Sequence, residues 1–409
     1  MTQDASDATQ PLEARLPELP PEVADAAKEA IEIRRDLHAH PELGFREERT
    51  AAIVTERLRA LGLEVRTGVA KTGVVGLLRG AEPGRTIMVR ADMDALPLQE
   101  ENGVSYRSRD DGVMHACGHD GHTAMALMAA RILHARRGRI HGNVKFVFQP
   151  AEEGPGGAEP MIKEGVLRDP DVDLAVGVHL WNDLRLGQVG VQSGPIMGSV
   201  DRVEITVRGK GGHGAKPQET VDPVVASAQI ITALQTLISR ERNPLEPAIL
   251  PIGSIHGGEA FNVIPSEVKL VGTVRTLSEA VWEAMPGRIQ RVAEGVAAGF
   301  GATAEVKYQR MYQTTQNDPH IAAHVEGLAQ ELVGPEAVIR HSATMGGEDM
   351  SFFLREIPGC FFFIGSANPE KGLKYPHHNP RFDFDEDALG IGIEMLIRSV
   401  ESLLAEPEQ

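Results

Sequence analysis

The chain has 409 residues, 42% of them hydrophobic and 24% charged, which is enough for two globular domains with sizeable cores. A net charge of −17 and an aromatic content of 4% disfavour a nucleic-acid partner, which would need basic or stacking surfaces. No apolar run approaches the roughly 20 residues of a membrane span, and no signal peptide is recognisable. The two cysteines, Cys117 and Cys360, do not make a disulfide framework. We therefore expect a cytoplasmic protein without a membrane partner.

The N-terminal part of the chain predicts a loose tail followed by two helices. Residues 1–20 are polar and acidic and contain prolines, which is typical of an unstructured segment. Apolar residues near helical spacing between Val23 and Leu37 predict a helix, which should end before Pro41 because proline disfavours helix at the preceding residue. A second helix is predicted over 47–61, since Gly62 is a typical helix terminator.

Strands and helices then alternate as far as residue 179. We predict strands over 63–66, 74–79, 86–90, 143–149 and 173–179, with a helix over 123–136. This alternation predicts an α/β fold with a mostly parallel sheet flanked by helices. Polar residues come at the ends of three of these strands, at the edge where such sheets place their chemistry: Asp92 and Asp94, Glu152 and Glu153, and His179.

A different pattern starts near residue 197. Strands predicted over 199–208, 248–255, 268–275 and 302–308 are interleaved with helices over 222–240 and 278–298. This β-α-β-β-α-β order is that of a small ferredoxin-like α+β domain. We therefore predict a domain inserted at 197–311 within a larger, catalytic domain of residues 21–196 and 312–409. The resumed part should hold a helix after Asp318, a strand over 360–364 and a terminal helix from about residue 385.

The segment from Met114 to His122 contains three His, one Cys and one Asp in nine residues. Thiolate, imidazole and carboxylate are the side-chain groups that bind transition metals. Cys117 and His119 flank Gly118, so a strand-to-helix turn could direct both side chains to one point. A polar loop that caps the following helix is the alternative, and this segment alone does not decide between the two.

Other residues point to a metal site, although each also has a structural explanation. Adjacent acids such as Glu152 and Glu153 leave a strand in different directions, so one could bind a metal while the other acts as a base, but such pairs are common on surfaces. A lone histidine at a strand end is commonly a core residue. Considered together, five metal-capable groups lie at strand ends or loops of one sheet: Cys117, His119, Glu153, His179 and His378. One catalytic zinc needs three ligands and an open position, whereas five ligands with one of them bridging suffice for two ions about 3.5–4 Å apart.

Eight motifs together carry a family resemblance. In chain order they are RADMDALP (90–97), MHACGHDGHTA (114–124), QPAEEGPGGA (149–158), GVHLW (177–181), GKGGHGAKP (209–217), FNVIP (261–265), GGEDMSFF (346–353) and HHNPRFDFDE (377–386). The ordered set resembles the metal-dependent aminoacylase and carboxypeptidase clan, and the likeness covers about residues 27 to 400. The similarity is greatest with its branch of N-acyl-amino-acid amidohydrolases, which includes hippurate hydrolases, auxin-conjugate hydrolases and N-acetyl-diaminopimelate deacetylases.

The resemblance implies an amidohydrolase that acts on linear amides with two divalent ions per subunit, zinc or manganese, with cobalt or nickel as alternatives. It places the metal ligands at Cys117, His119, Glu153, His179 and His378. It implies that Glu152 is the general base, that His213 reaches into an active site, usually that of the partner subunit, and that Asn262 and Arg275 hold the substrate carboxylate or acyl carbonyl. The inserted domain would be a lid or dimerisation domain, so we expect a homodimer or a dimer-based oligomer acting on a small-molecule N-acyl amino acid.

The chain departs from the wider clan at Asp92-Met93-Asp94, where many members have His-x-Asp. The Cys-Gly-His form of the motif at 117–119 accompanies this change and marks the amidohydrolase branch. We therefore do not expect Asp92 to be a ligand, and we expect Asp94 to orient a ligand without binding the metal. Apart from the resemblance, His213 could equally be a loop residue without a role.

Three other functions are compatible with parts of the sequence. A metallocarboxypeptidase or dipeptidase would use the same site on a peptide. A non-catalytic binding module is disfavoured because Glu152 and all five ligand positions are retained. A cysteine hydrolase would use Cys117 as nucleophile with His119 or His122 as base, and it would need no metal.

Overall fold

A computed structural model describes residues 16–154 and 156–405. Most of the predicted N-terminal tail, residues 1–15, lies outside the described residues, and the first helix begins at Pro21. The helices are α1 (Pro21–Ala39), α2 (Glu48–Ala60), α3 (His119–Ala135), α4 (Ala158–Lys163), α5 (Pro223–Ser239), α6 (Glu279–Gly299), α7 (Pro319–Val333), α8 (Met350–Glu356) and α9 (Asp387–Ala405). The strands are β1 (Glu64–Val69), β2 (Gly73–Arg79), β3 (Glu82–Asp92), β4 (His141–Gln149), β5 (Leu174–Arg185), β6 (Val189–Gly190), β7 (Gly194–Met197), β8 (Val200–Arg208), β9 (Gly212–His213), β10 (Ala248–Ile249), β11 (Ile252–His256), β12 (Val263–Ile264), β13 (Glu267–Thr276), β14 (Thr303–Tyr312), β15 (Thr315–Asn317), β16 (Val338–Ile339) and β17 (Gly359–Ala367).

The chain divides into two compact units. Unit 1 comprises the chain up to Gly194, Asn317–Ser342 and the chain from Phe353 onward, and unit 2 comprises Pro195–Gln316 and Ala343–Phe352. The last of these segments differs from the sequence prediction, which left it with the catalytic domain. It belongs to unit 2 because its backbone bonds to the start of that unit: Thr344 N donates to Ile196 O, and Gly198 N donates to Gly346 O.

Unit 1 is built on an eight-stranded sheet with the order β1-β2-β4-β3-β5-β17-β6-β16. The four central strands, β4, β3, β5 and β17, pair in parallel, which confirms the predicted mostly parallel sheet. Every residue of β17 is buried, as expected for a central strand covered on both faces. Helices α1, α3 and α9 pack on one another and their apolar residues join the core of the sheet.

Unit 2 has a sheet in which β13, β8 and β14 are consecutive antiparallel neighbours, with β10 and β11 both pairing with the other edge of β13. With α5 and α6 packed on it, this is the predicted ferredoxin-like order. The predicted single strand over 248–255 is wrong in one respect, because it is divided into β10 and β11. The break falls at Pro251, which has no N–H to donate to a neighbouring strand.

Two element boundaries in unit 1 also differ from the prediction. Helix α3 begins at His119 rather than near residue 123, and strand β5 continues to Arg185, so His179 lies inside the strand and does not end it. Within the described residues, no helix is both long enough and apolar enough to cross a membrane.

Candidate metal centre

The carboxyl ends of the central strands of unit 1 bring polar residues to one edge of the sheet. Strand β3 pairs in parallel with β4 on one side and with β5 on the other. Asp92 is the last residue of β3, and Pro150 and Ala151 link the end of β4 to Glu152 and Glu153. Because parallel strands end at the same edge of a sheet, these acids converge as the sequence predicted they would.

The turn that carries Cys117 and His119 depends on the glycine between them. Gly118 is the N-cap of α3 and has a φ of 90°, a left-handed conformation that glycine adopts without steric cost. His119 is therefore the first residue of α3, while Cys117 lies just before the turn. Both side chains are buried, with 9% of Cys117 and none of His119 exposed.

Cys117, His119 and His179 form a first group of possible metal donors, with one donor atom from each residue lying within 4.8 Å of the others. Cys117 Sγ lies 3.6 Å from His179 Nε2. His179 Nδ1 lies 2.6 Å from the carbonyl oxygen of Leu180, so Nδ1 carries the ring proton and donates it to that oxygen. Nε2 is then unprotonated, and its lone pair can bind a metal. Burial and the rings of His122 and His377 hold the pKa of His179 well below its ordinary value, which keeps the ring neutral for a metal.

Cys117, Glu153 and His378 form a second group with the same spacing limit. His378 Nε2 lies 2.9 Å from Glu153 Oε1. The backbone of His378 is held in a left-handed conformation with a φ of 62°, and its N–H donates to the carbonyl oxygen of Ala116. That bond joins the late loop to the residue immediately before Cys117.

The thiol of Cys117 belongs to both groups, so it is the candidate bridging atom between two metal positions. Burial raises the pKa of this thiol well above its ordinary value, and the carboxylates of Glu153 and Glu152 raise it further. Burial lowers the pKa of His119, yet Asp92, Asp94 and Glu153 raise it to about 10. Neighbouring carboxylates contribute to both upward shifts, and bound cations would balance that negative charge.

The donor atoms fit divalent ions by a second criterion. In the described part of the chain, Nε2 of His119 is buried without a hydrogen-bond partner. Buried polar atoms without a partner are uncommon, and an ion is one of the few explanations that satisfies them. A set of one thiolate, one carboxylate and three imidazoles suits zinc and also tolerates manganese, cobalt or nickel.

Asp94 holds the loop that carries Glu152 and Glu153. Its two carboxylate oxygens accept the backbone N–H groups of Glu152, at 2.9 Å, and of Glu153, at 3.0 Å. Asp94 Oδ1 also lies 3.3 Å from His119 Nδ1. The side chain of Glu152 is 6% exposed and its carboxylate joins His119 and Glu153 in a third close group. Glu152 therefore lies next to the donors while Asp94 supports the loop.

Other polar residues of the 114–122 segment bond within the protein. His122 Nδ1 lies 2.6 Å from Asp92 Oδ1, and His122 Nε2 accepts the N–H of Leu180. Asp92 also accepts from Arg90 Nη1 at 2.7 Å. Asp92, His119 and His122 lie close enough to form a donor group, but the partners of Asp92 and His122 support a structural role for both. Asp92 was not expected to be a ligand.

The sequence interpretation missed two residues that support the ligands. His377 Nε2 lies 2.9 Å from the carbonyl oxygen of Leu180, which is the same oxygen that His179 contacts. Trp181 stacks on His377, with ring centroids 4.7 Å apart, and on Phe363, with centroids 4.5 Å apart. The HHNP and GVHLW motifs are the sequence signal for these two residues. His377 directly precedes the proposed ligand His378, and Trp181 follows the proposed ligand His179 by two positions.

The remaining predicted site residues lie in unit 2. His213 and Asn262 are exposed and close together, because β9 pairs with β12 and Gly214 N donates to Asn262 O. His213 Nδ1 accepts the N–H of Ala215 at 3.0 Å. Arg275 lies on β13, where its Nη1 donates to the carbonyl oxygen of Met345 at 3.1 Å. Burial lowers the pKa of Arg275.

Comparisons with known proteins agree with this geometry. A family model for peptidase family M20/M25/M40 matches residues 88–402 of the chain. An N-acyl-L-amino acid amidohydrolase from Geobacillus stearothermophilus is 45% identical over 296 residues, which cover 72% of this chain and 80% of that protein. Thermostable carboxypeptidase 1 from Saccharolobus solfataricus is 42% identical over 366 residues, which cover 88% of this chain and 92% of that protein.

A solved structure is similar over nearly the whole chain. It is that of the Bacillus subtilis protein YXEP, described as a dinuclear metal binding peptidase from the M20 family. The two structures match with a TM-score of 0.81 and 36% sequence identity, covering 93% of this chain and 99% of that one.

Proposed function

This chain belongs to peptidase family M20/M25/M40, which confirms the resemblance carried by its motifs, and we propose that it hydrolyses the amide bond of N-acyl-L-amino acids, including aryl-acyl conjugates. The observation that carries the proposal is the shared position of Cys117 in two donor groups, with the carboxylate of Glu152 next to them. Adjoining donor groups with a neighbouring carboxylate that can act as a base are what metal-assisted amide hydrolysis requires. The N-acyl-L-amino acid amidohydrolase of Geobacillus stearothermophilus, at 45% identity, supports this choice of substrate.

The proposed metal ligands are Cys117, His119, Glu153, His179 and His378, with Cys117 common to both positions. Zinc and manganese are the expected ions, and cobalt or nickel would also suit these donors. When bound, two divalent ions would act as Lewis acids on the scissile carbonyl and would lower the pKa of the attacking water. Asp94 does not bind a metal in this scheme and instead keeps His119 and the 152–153 loop in place.

Glu152 is proposed to move the proton. Its carboxylate takes a proton from the water that attacks the amide carbon, and it then gives that proton to the nitrogen of the leaving amine. Both steps need a carboxylate at a fixed place, and the bond from the Glu152 N–H to Asp94 supplies this.

Residues of unit 2 are proposed to bind the substrate. Arg275 is half-buried, and within the described residues no carboxylate pairs with its guanidinium. A planar guanidinium of this kind binds a carboxylate through two parallel hydrogen bonds, so we assign it the free carboxylate of the amino-acid part. Asn262 would hold the substrate carboxylate or acyl carbonyl. His213 would donate a hydrogen bond to the oxyanion. In a homodimer, this oxyanion would usually lie in the active site of the partner subunit.

The test of the general base is Glu152→Gln, which keeps the size of the side chain and removes its basicity. We expect kcat to fall by roughly 10²- to 10⁴-fold, with a metal content equal to that of the wild type by elemental analysis. Glu159→Gln is the matched control, because Glu159 is an exposed acid on α4 whose ion pair within the described residues is with Lys163. Substantial remaining activity would remove Glu152 as the base, and loss of metal would make it a ligand instead.

A metallocarboxypeptidase or dipeptidase remains the second candidate, and the 42% identity with thermostable carboxypeptidase 1 supports it. Peptides and N-acyl amino acids both present a free carboxylate to Arg275, so this residue does not separate the two functions. The substrates differ on the other side of the scissile bond. Activity on N-acetyl, N-benzoyl and aminoacyl derivatives of the same amino acid, measured after each metal is returned to chelated enzyme, distinguishes them by their kcat/KM values.

A further inference from the structure

Three consecutive backbone N–H groups of the loop after β4 donate to two buried carboxylates. The N–H groups of Glu152 and Glu153 donate to Asp94, as described above. The N–H of Ala151, one residue earlier, donates to Oε1 of Glu47 at 2.9 Å. Glu47 is completely buried and comes from a part of the chain with no predicted role in the site. The loop is therefore held by one acid already connected with the site and by one that is not.

The carboxylate of Glu47 is itself fixed. Thr72 Oγ1 donates to Oε2 of Glu47 at 2.5 Å, on the oxygen that Ala151 does not use. The backbone of Glu47 is the N-cap of α2, and its carbonyl oxygen accepts the N–H of Ala51. Each oxygen of the side chain thus has a donor from elsewhere in the chain, and the residue is anchored by a helix. A carboxylate held in this way defines the position of the N–H that it accepts.

The peptide held by Glu47 is strained. Ala151 is buried and has a φ of 55°, which an alanine adopts only when its surroundings impose it. Gly44 packs against it so closely that a Cβ at Gly44 would lie 3.0 Å from both Cα and Cβ of Ala151. Strained backbone next to a reactive side chain is a recurrent property of catalytic loops. Without the bond to Glu47, Ala151 would lose one of the contacts that impose this conformation.

We propose that Glu47 is a positioning residue for the reaction: through Ala151 it fixes the 151–153 loop and so places the Glu152 carboxylate. The role rests on the proposed function, in which Glu152 is the general base. The side chain of Glu47 bonds to the N–H of Ala151 and to Thr72 and to none of the proposed ligands, so we expect its effect to pass through one backbone N–H. We expect the loss of Glu47 to lower kcat and to leave KM unchanged, because the groups assigned to the substrate carboxylate lie in unit 2.

The experiment compares Glu47→Ala with Glu42→Ala. Glu42 is the matched control because its carboxylate also accepts N–H groups at the start of α2, those of Arg49 and Thr50, at 2.9 and 2.8 Å, and these bonds do not involve the 151–153 loop. We expect Glu47→Ala to lower kcat by roughly 10- to 100-fold, with KM and metal content unchanged. Hydrogen–deuterium exchange of a peptide covering 150–158 should be faster than in the wild type, whereas Glu42→Ala should alter neither kcat nor this peptide.

Thr72 provides a milder test that avoids removing a buried acid. Thr72→Val deletes the donor to Glu47 and should reproduce part of the loss of kcat, whereas Thr72→Ser keeps the hydroxyl and should restore it. Equal kcat and equal exchange in Glu47→Ala and Glu42→Ala would overturn the proposal. Faster exchange with an unchanged kcat would show a loop anchor with no catalytic role and would overturn it as well.

Failure of the proposed function would give a different result from failure of the Glu47 proposal. If the wild type cleaves no substrate of the panel, the amidohydrolase assignment fails, and the exchange measurement on the same variants still decides whether Glu47 holds the loop.

Discussion

The two units support their candidate residues in opposite ways. In unit 1 the donors Cys117, His119 and His179 are buried, and neighbouring groups fix their orientation, as the carbonyl of Leu180 does for His179. Glu153 is half-buried, and His378 is the exposed donor of this unit. In unit 2 His213 and Asn262 are exposed, and the Asn262 side chain has no hydrogen-bond partner in the described residues. A metal site benefits from donors that are placed before the ion arrives, whereas a substrate contact can be adjusted when the ligand binds. Substitution of a candidate donor in unit 1 should therefore lower the metal content, whereas substitution of a candidate substrate residue in unit 2 should weaken substrate binding.

The largest effect is expected from Cys117→Ala in unit 1. Because this thiol belongs to both donor groups, its removal should lower the metal content from two ions per chain to less than one and leave no measurable activity. Elemental analysis of the purified protein gives the result directly. Cys360→Ala is the control, since Cys360 is buried in β17 and belongs to none of the donor groups. A Cys117→Ala protein that kept both ions would refute the bridging assignment.

A smaller and different effect is expected from Arg275→Lys in unit 2. Loss of the planar fork should cost about 1.5–3 kcal/mol of charge-assisted hydrogen bonding to the substrate carboxylate, or roughly a 10- to 100-fold fall in kcat/KM, mostly through KM. The metal content should stay normal.

Two comparisons isolate the role of Arg275. Arg202→Lys is a control on the neighbouring strand, where an exposed arginine pairs with Glu204. The wild type should also discriminate against a substrate whose carboxylate is replaced by an amide. If Arg275→Lys retained that discrimination in full, the carboxylate would be bound by another residue.

The smallest effect concerns stability in unit 1. Burial and the charge of Arg34 lower the pKa of His38, but hydrogen bonds to Asp120 and Glu100 raise it by more, so the net shift is upward. A raised folded-state pKa means that the stabilisation is complete below the unfolded pKa, about 6.5, and is lost as the pH rises through the folded value. We expect His38→Gln to cost about 1–3 kcal/mol below pH 6.5 and progressively less above it.

Denaturant unfolding at several pH values measures this difference. His40→Gln is the appropriate comparison, because His40 lies two residues away and its ring contacts Asp36 and Arg109 and neither Asp120 nor Glu100 in the described residues. A stability difference that grew with pH would contradict the assigned direction of the shift.

The sequence predicted the edge of the sheet at which the candidate donors meet, because acids and histidines near strand ends are visible in the order of the residues. Gly118 between Cys117 and His119 also marked the turn, since only glycine adopts its φ easily. These features are local, or they follow from the rule that parallel strands end together. The predicted roles of the site residues remain predictions that the variants above test.

Other features could not be predicted because they depend on long-range packing. Glu47 and Ala151 are 104 positions apart, and nothing near Glu47 in the sequence indicates that its carboxylate meets the loop after β4. The same holds for the Leu180 carbonyl, which meets His377 only because the late loop folds back onto β5. The start of α3 was placed too late because the polar residues after Gly118 resemble a loop.

The spread of the donors along the chain has a consequence for how the protein assembles. Cys117, Glu153, His179 and His378 come from the turn before α3, the loop after β4, the interior of β5 and the loop before α9. Contacts of such long sequence separation form late, because loop closure costs entropy before the contact repays it. We therefore expect that metal ions do not template the early folding of unit 1. They would bind after its sheet is complete and would then oppose global unfolding rather than the opening of one loop.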